Sequence, residues 1–160
     1  MSDLSHYRDD GAAHMVDVSA KDVTKRQATA RGVLRTRTDV VERIASGDLP
    51  KGEAIATARI AGIMGAKRTP DLVPLCHPLP LSGVDLEIIP GREAVEIVAT
   101  VRTTGRTGVE MEALTAVTVA GLTLYDMIKA VDKAAVLTDI EVVAKSGGKS
   151  GDWVRGEERA

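Results

Sequence analysis

The chain has 160 residues, with 23 acidic against 21 basic side chains and a formal net charge of −2. It has no Phe, one Trp and two Tyr; with neither a basic face nor aromatic platforms, bulk nucleic-acid binding and single-strand stacking are both disfavoured. A hydrophobic content of 44% suffices for one buried core, filled by Val, Ile, Leu and Ala, and contacts between copies can add the burial that aromatic side chains do not supply.

In chain order, residues 1–13 predict a flexible polar arm and residues 14–160 a single domain. Met15, Val16 and Val18 mark where order begins. Ala28 to Arg37 predicts a strand, with Leu34 and Thr36 opposite Val33, Arg35 and Arg37. Thr38 is placed to cap a short helix that Gly47 ends. After Pro50, Glu53 to Lys67 predicts a second helix. Its Ala54, Ala58, Ala61 and Gly65, widened by Gly62 and Ala66, form a smooth stripe for close packing. Thr69-Pro70 predicts an extended residue and a helix stop. Four of the six prolines fall between Pro70 and Pro80, so Asp71 to Leu81 reads as a stiff rail.

Val84, Leu86 and Ile88, then Val95, Ile97, Ala99 and Val101, alternate on either side of Pro90-Gly91. That is an antiparallel hairpin with one buried face. Met111 to Val131 predicts the longest helix and Leu137 to Ala144 the last strand. The order is that of a split βαβ plait: an α+β fold, an antiparallel sheet with helices packed on one face. No stretch reaches transmembrane length, and the first residues are too polar for a secretory signal. One cysteine excludes an intrachain disulfide and suits a reducing compartment. A cytoplasmic protein with no membrane partner is expected.

Four places can carry chemistry. His77 sits between Pro74 and Pro78 on the rail, beside Cys76. It can bond a phosphate or move a proton near neutral pH, or be a half-buried histidine satisfied by the backbone; the residues leave both open. Cys76 reads as a buried thiol. With only His6 and His14 besides and no second cysteine, no metal site is expected. Glu110 and Glu112 open the long helix after Thr107-Gly108. They either complement the helix dipole or accept hydrogen bonds from the amino edge of a purine-like ring.

Asp126, Lys129 and Lys133, spaced i, i+3 and i+7, share one face of an apolar helix. They are either a surface ion-pair set of little worth or a proton-transfer group looking into a cleft. In the second case the lysines lower the pKa of the acid and like charge lowers that of a lysine. Finally, Lys145-Ser-Gly-Gly-Lys149-Ser-Gly151 reads as an anion clamp or a flexible turn. It is not a Walker A loop, since Val143 stands where that pattern needs glycine. Glu112 and Asp126 are fourteen residues apart, roughly 21 Å along a helix. They cannot grip one small substrate from the same copy: either they serve different jobs, or a neighbouring subunit brings one of them in.

The segments ARIAGI from Ala58, LVPLCHPL from Leu72, TGVEMEALT from Thr107, YDMIK from Tyr125 and KSGGKSG from Lys145 together resemble the molybdenum cofactor biosynthesis protein C family, the cyclic pyranopterin monophosphate synthases. The likeness runs from about His14 to Asp152. The resemblance implies a ferredoxin-like plait, a homohexamer built as a trimer of dimers, and active sites between subunits. It implies conversion of 3′,8-cyclo-7,8-dihydroguanosine triphosphate to cyclic pyranopterin monophosphate with release of pyrophosphate. Asp126 and Lys129 match the catalytic pair. Leu75, Cys76, His77, Met111 and Glu112 match substrate-binding stretches, and Lys51, Lys67, Lys145 and Lys149 match basic site residues. Glu110 and Lys133 join the substrate-binding set by position. No cofactor is required; magnesium can accompany the triphosphate. The alternative is a non-catalytic nucleotide-triphosphate-binding scaffold of the same pathway, which needs no positioned Asp126.

Overall fold

Ala28, Ala30 and Leu34, all fully buried, point one face of β1 (Thr24–Arg35) into the core. The structure is a computed structural model that describes residues 10–157. Residues 1–9 of the expected arm lie outside the described residues. β1 starts four residues before the alternation predicts, because Thr24 to Gln27 find ladder partners in Gly105 to Arg102. It stops before Thr36, whose hydroxyl instead donates to Asp132 Oδ2 at 2.7 Å.

The first helix, α1 (Thr38–Ser46), corrects the expected cap. Arg37, not Thr38, is the cap residue; it makes no side-chain cap bond, and its guanidinium pairs with Asp39 at 2.9 Å. Gly47, at φ 74°, ends the helix as expected. Glu53 caps α2 (Ala54–Lys67) by accepting from the Ala56 N–H. The next residues differ from expectation: Thr69 is not extended but opens one helical turn, α3 (Thr69–Leu72). Its hydroxyl donates to the Ala66 carbonyl at 2.9 Å, and Pro70 sits in the first turn, where a missing N–H is harmless.

The hairpin forms as β2 (Leu81–Pro90) and β3 (Ala94–Gly105), with Val95, Ile97, Ala99 and Val101 fully buried. It leads into α4 (Glu110–Ile128) and then β4 (Val136–Ser146). A two-residue β5 (Trp153–Val154), too short to leave a pattern, pairs with β4. The sheet order is β2-β3-β1-β4-β5, and every pairing is antiparallel.

Helices α2 and α4 cover one face of that sheet. They touch each other closely because Gly62 and Gly65 lack side chains: a Cβ on Gly62 would stand 2.9 Å from the Ala116 carbonyl oxygen, and one on Gly65 2.8 Å from Val119. The buried stripe runs through Ala54, Ala58, Gly62, Gly65 and Ala66, while Ala61 is only half-buried. By length and composition α4 is apolar enough to cross a bilayer, contrary to the expectation on length. Here more than half of it is buried inside the fold, as the core helix. It ends three residues sooner than predicted, where Asp132 turns inward to Thr36.

Candidate active site

Two clusters form, one at each end of α4. At the N-terminal end, the proline rail and the first turn of α4 wall a cavity of about 200 Å³, which Leu75, Cys76, His77, Glu110, Met111 and Glu112 all line. Glu112 is 3% exposed. Burial pushes its carboxyl up to about 7, and the charge of Glu110 adds to the shift. Cys76 is half-buried, and burial raises its thiol pKa. His77 Nε2 donates to the Val16 carbonyl at 2.6 Å. That bond fixes the protonated nitrogen, so the backbone reading holds for Nε2 while the residue still lines the cavity.

A second cavity, of about 180 Å³, shares the wall made by Lys21, Thr107, Gly108 and Glu110. Its lining is mainly polar and cationic: Lys21, Arg26, Arg106 and Lys145. Arg26 Nε donates to the Gly105 carbonyl at 3.0 Å. Lys145, on β4, donates to Ser150 Oγ at 2.5 Å and lies 3.7 Å from Glu110. The loop after β4 closes over these groups with Gly147 and Gly148 at φ 85° and 79°. A Cβ on Gly147 would strike the Lys25 backbone carbonyl oxygen, so only glycine lets the loop lie this close. Lys149 lines a wider recess beside it, again with Lys21 and Arg26.

At the other end of α4, Asp126 is about half exposed. Its two carboxylate oxygens are divided between two ammonium groups, Lys129 at 2.7 Å and Lys51 at 2.8 Å. The hydrogen bond from Lys129, then that from Lys51, lowers its pKa to about 2. The expectation of a depressed lysine is reversed: the same carboxylate raises Lys129. A second correction concerns Lys133. It lies beyond the helix end, where its carbonyl accepts from Tyr125 at 3.0 Å, and Lys51 takes the place it was expected to fill. Nor does the pair look into a cleft within one chain; it is a surface group. Lys67 ends α2, outside both cavities.

The profile of the MoaC family matches residues 15–148. The chain belongs to the MoaC family. A cyclic pyranopterin monophosphate synthase of Corynebacterium efficiens is 63% identical over 155 residues, covering 96% of this chain and 99% of the relative. One of Streptomyces coelicolor is 65% identical over 152 residues, covering 95% and 89%. Cyclic pyranopterin monophosphate synthase 2 of Mycobacterium tuberculosis is 62% identical over 153 residues, covering 96% and 92%.

In this MoaC-family chain, sequence reasoning missed Lys21, Arg26 and Arg106. Arg26 was findable: extending the first strand back to Thr24 places it beside Gly105. Lys21 and Arg106 lie in loops with no periodicity to flag them. Val16, which holds His77, acts through a backbone carbonyl and so leaves no side-chain signal.

Proposed function

We infer that this chain is a lyase of molybdenum cofactor biosynthesis that converts 3′,8-cyclo-7,8-dihydroguanosine triphosphate to cyclic pyranopterin monophosphate and releases pyrophosphate. The observation that carries the site assignment is the division of labour between adjoining cavities: one holds a buried carboxyl, the other a group of cations. The first suits the guanine-derived edge. Ionised Glu112 accepts its N–H groups, and Leu75, Cys76, His77 and Met111 shape the walls. The second suits the phosphates, with Lys145 and the newly found Lys21, Arg26 and Arg106 as fixed cations, and Lys149 on the adjacent rim. Such cations also stabilise the charge that builds on departing pyrophosphate.

Asp126 is the proton acceptor in this reading. Its low pKa keeps it ionised, and Lys129, held protonated beside it, is the paired donor. Lys51 completes the group. At roughly 21 Å along α4 from Glu112, this trio serves the cavity of another subunit. The outer sides of α2 and α4 support that reading: Ile60, Met64 and Leu122 are each at least half exposed. A hexamer built as a trimer of dimers with interface sites is the assembly we propose; its subunit count rests on the family resemblance. The sheet order β2-β3-β1-β4, with both crossovers carrying helices on one face, supports a ferredoxin-like plait as one domain from residue 14 onward.

Among the described residues no three His, Cys, Asp or Glu side chains converge on a metal position. Magnesium is proposed only as a companion of the triphosphate, and no step passes through it. The free cysteine and the GTP-derived substrate suit the cytoplasm. The deciding experiment incubates the pure protein with the cyclised GTP intermediate and measures pyrophosphate and the fluorescent oxidised pterin. Turnover of both is expected. Binding without turnover would instead support the scaffold reading.

A further inference from the structure

Glu110 is a carboxylate in a place built for anions. It lines both cavities and stands in the wall between them. Its Oε1 lies 3.7 Å from Lys145 Nζ, and the two side chains are only 32% and 26% exposed. The remaining charges of the second cavity are positive: Lys21, Arg26 and Arg106. The pose is set from below. A Cβ on Gly108 would fall 2.0 Å from Glu110 Oε2, so the carboxylate is folded back over a residue that has no side chain. No step of the reaction needs a negative charge here, since the incoming phosphates bring their own.

We propose that Glu110 is a placeholder anion, neutralising Lys145 in the free chain and giving way to the phosphate chain of the substrate. This rests on the assignment of the second cavity to the phosphates. A half-buried ammonium without a counter-ion is unfavourable, so Glu110 keeps Lys145 oriented while the site is empty. When phosphates arrive, the pair must separate, and the released carboxylate repels them. Both effects weaken the hold on any phosphate chain, including the pyrophosphate that must leave. Glu110 thereby sets how tightly the chain is gripped and favours product release.

The probe is inorganic pyrophosphate, titrated calorimetrically into the intact oligomer with and without magnesium. Glu110→Gln keeps the side-chain shape and removes the charge. It is expected to bind pyrophosphate about five- to tenfold more tightly than the parent, and its turnover should be more sensitive to added pyrophosphate. Glu110→Asp, one methylene too short to reach Lys145, should fall on the same side. Unchanged or weaker binding in both variants overturns the proposal. So does weaker binding that appears only with magnesium, which would make Glu110 a metal ligand. Lys145→Ala tests the underlying assignment separately: if the parent and this variant bind pyrophosphate equally, the second cavity is not the phosphate site, whatever Glu110 does. Thermal melting confirms that each variant is folded.

Discussion

The two ends of α4 hold carboxyl groups in opposite states. Glu112, in the first turn, is buried in a cavity wall and titrates near 7. Asp126, in the last turn, stands half in solvent between two ammonium groups and titrates near 2. Burial penalises the charged form; paired cations favour it. The difference shows that surroundings, not residue type, set which carboxyl holds its proton near neutral pH. It also places a carboxyl that changes charge near neutral pH at the cavity, and an ionised, ion-paired carboxylate on the surface at the far end of the helix.

The sharpest way to break this comparison is to remove the anion. Asp126→Asn should fold and assemble but lose turnover by at least about a hundredfold, the scale of lost acid–base catalysis. Pyrophosphate release within threefold of the parent would remove Asp126 from the mechanism. In the proposed assembly each cavity draws its two acids from different chains. Asp126→Asn and Glu112→Gln, each inactive, are mixed after gentle dissociation. Random reassortment makes about half of the two-fold pairs mixed, each with one intact cavity of two, so about a quarter of parent activity should return. No return, with mixed oligomers proven by mass, rejects the sharing of these two residues.

Stability against pH should have opposite signs at the two ends. Glu112 binds its proton more tightly folded than unfolded, so its contribution is favourable below about 4.5 and is lost as pH rises toward 7. Glu112→Gln should flatten that decline and gain stability at pH 8, by up to about 3 kcal/mol, read from denaturant melts at pH 4.5 and 8. Asp126 works the other way: its lowered pKa gives stability present above about 4 and lost as pH falls toward 2. The smallest effect separates the two lysines. Lys129→Met should raise the Asp126 pKa more than Lys51→Met does, because the Lys129 hydrogen bond is the larger cause of the shift. Carbon-13 NMR titration of the Asp126 carboxyl reads this directly, and the reverse order would reject that ranking.

Much of the fold was legible because period and burial coincide. Val95, Ile97, Ala99 and Val101 alternate in the sequence and are all fully buried. Boundaries failed where a partner elsewhere in the chain decides them. Thr24 to Gln27 have no apolar rhythm, yet they extend β1 because β3 lies alongside. The i, i+7 spacing from Asp126 puts Lys133 on the helix face, but the helix ends at Ile128 and Asp132 bonds to Thr36 before Lys133 is reached. At the site, motif residues were legible and their partners were not. Lys51 reaches Asp126 across 75 positions of sequence, a distance no local pattern spans.

By itself, the sequence determined which segments pack as strands and helices, that Glu112 and Asp126 lie far apart on one helix, and the motifs that mark the family. These follow from local spacing, which the backbone converts directly into geometry. Only the tertiary structure decided which cations face which acid, that Glu110 stands between two cavities, and that burial drives Glu112 upward while Lys129 and Lys51 draw Asp126 down. Those outcomes depend on through-space distance and local dielectric, which residues remote in the chain set together when they pack.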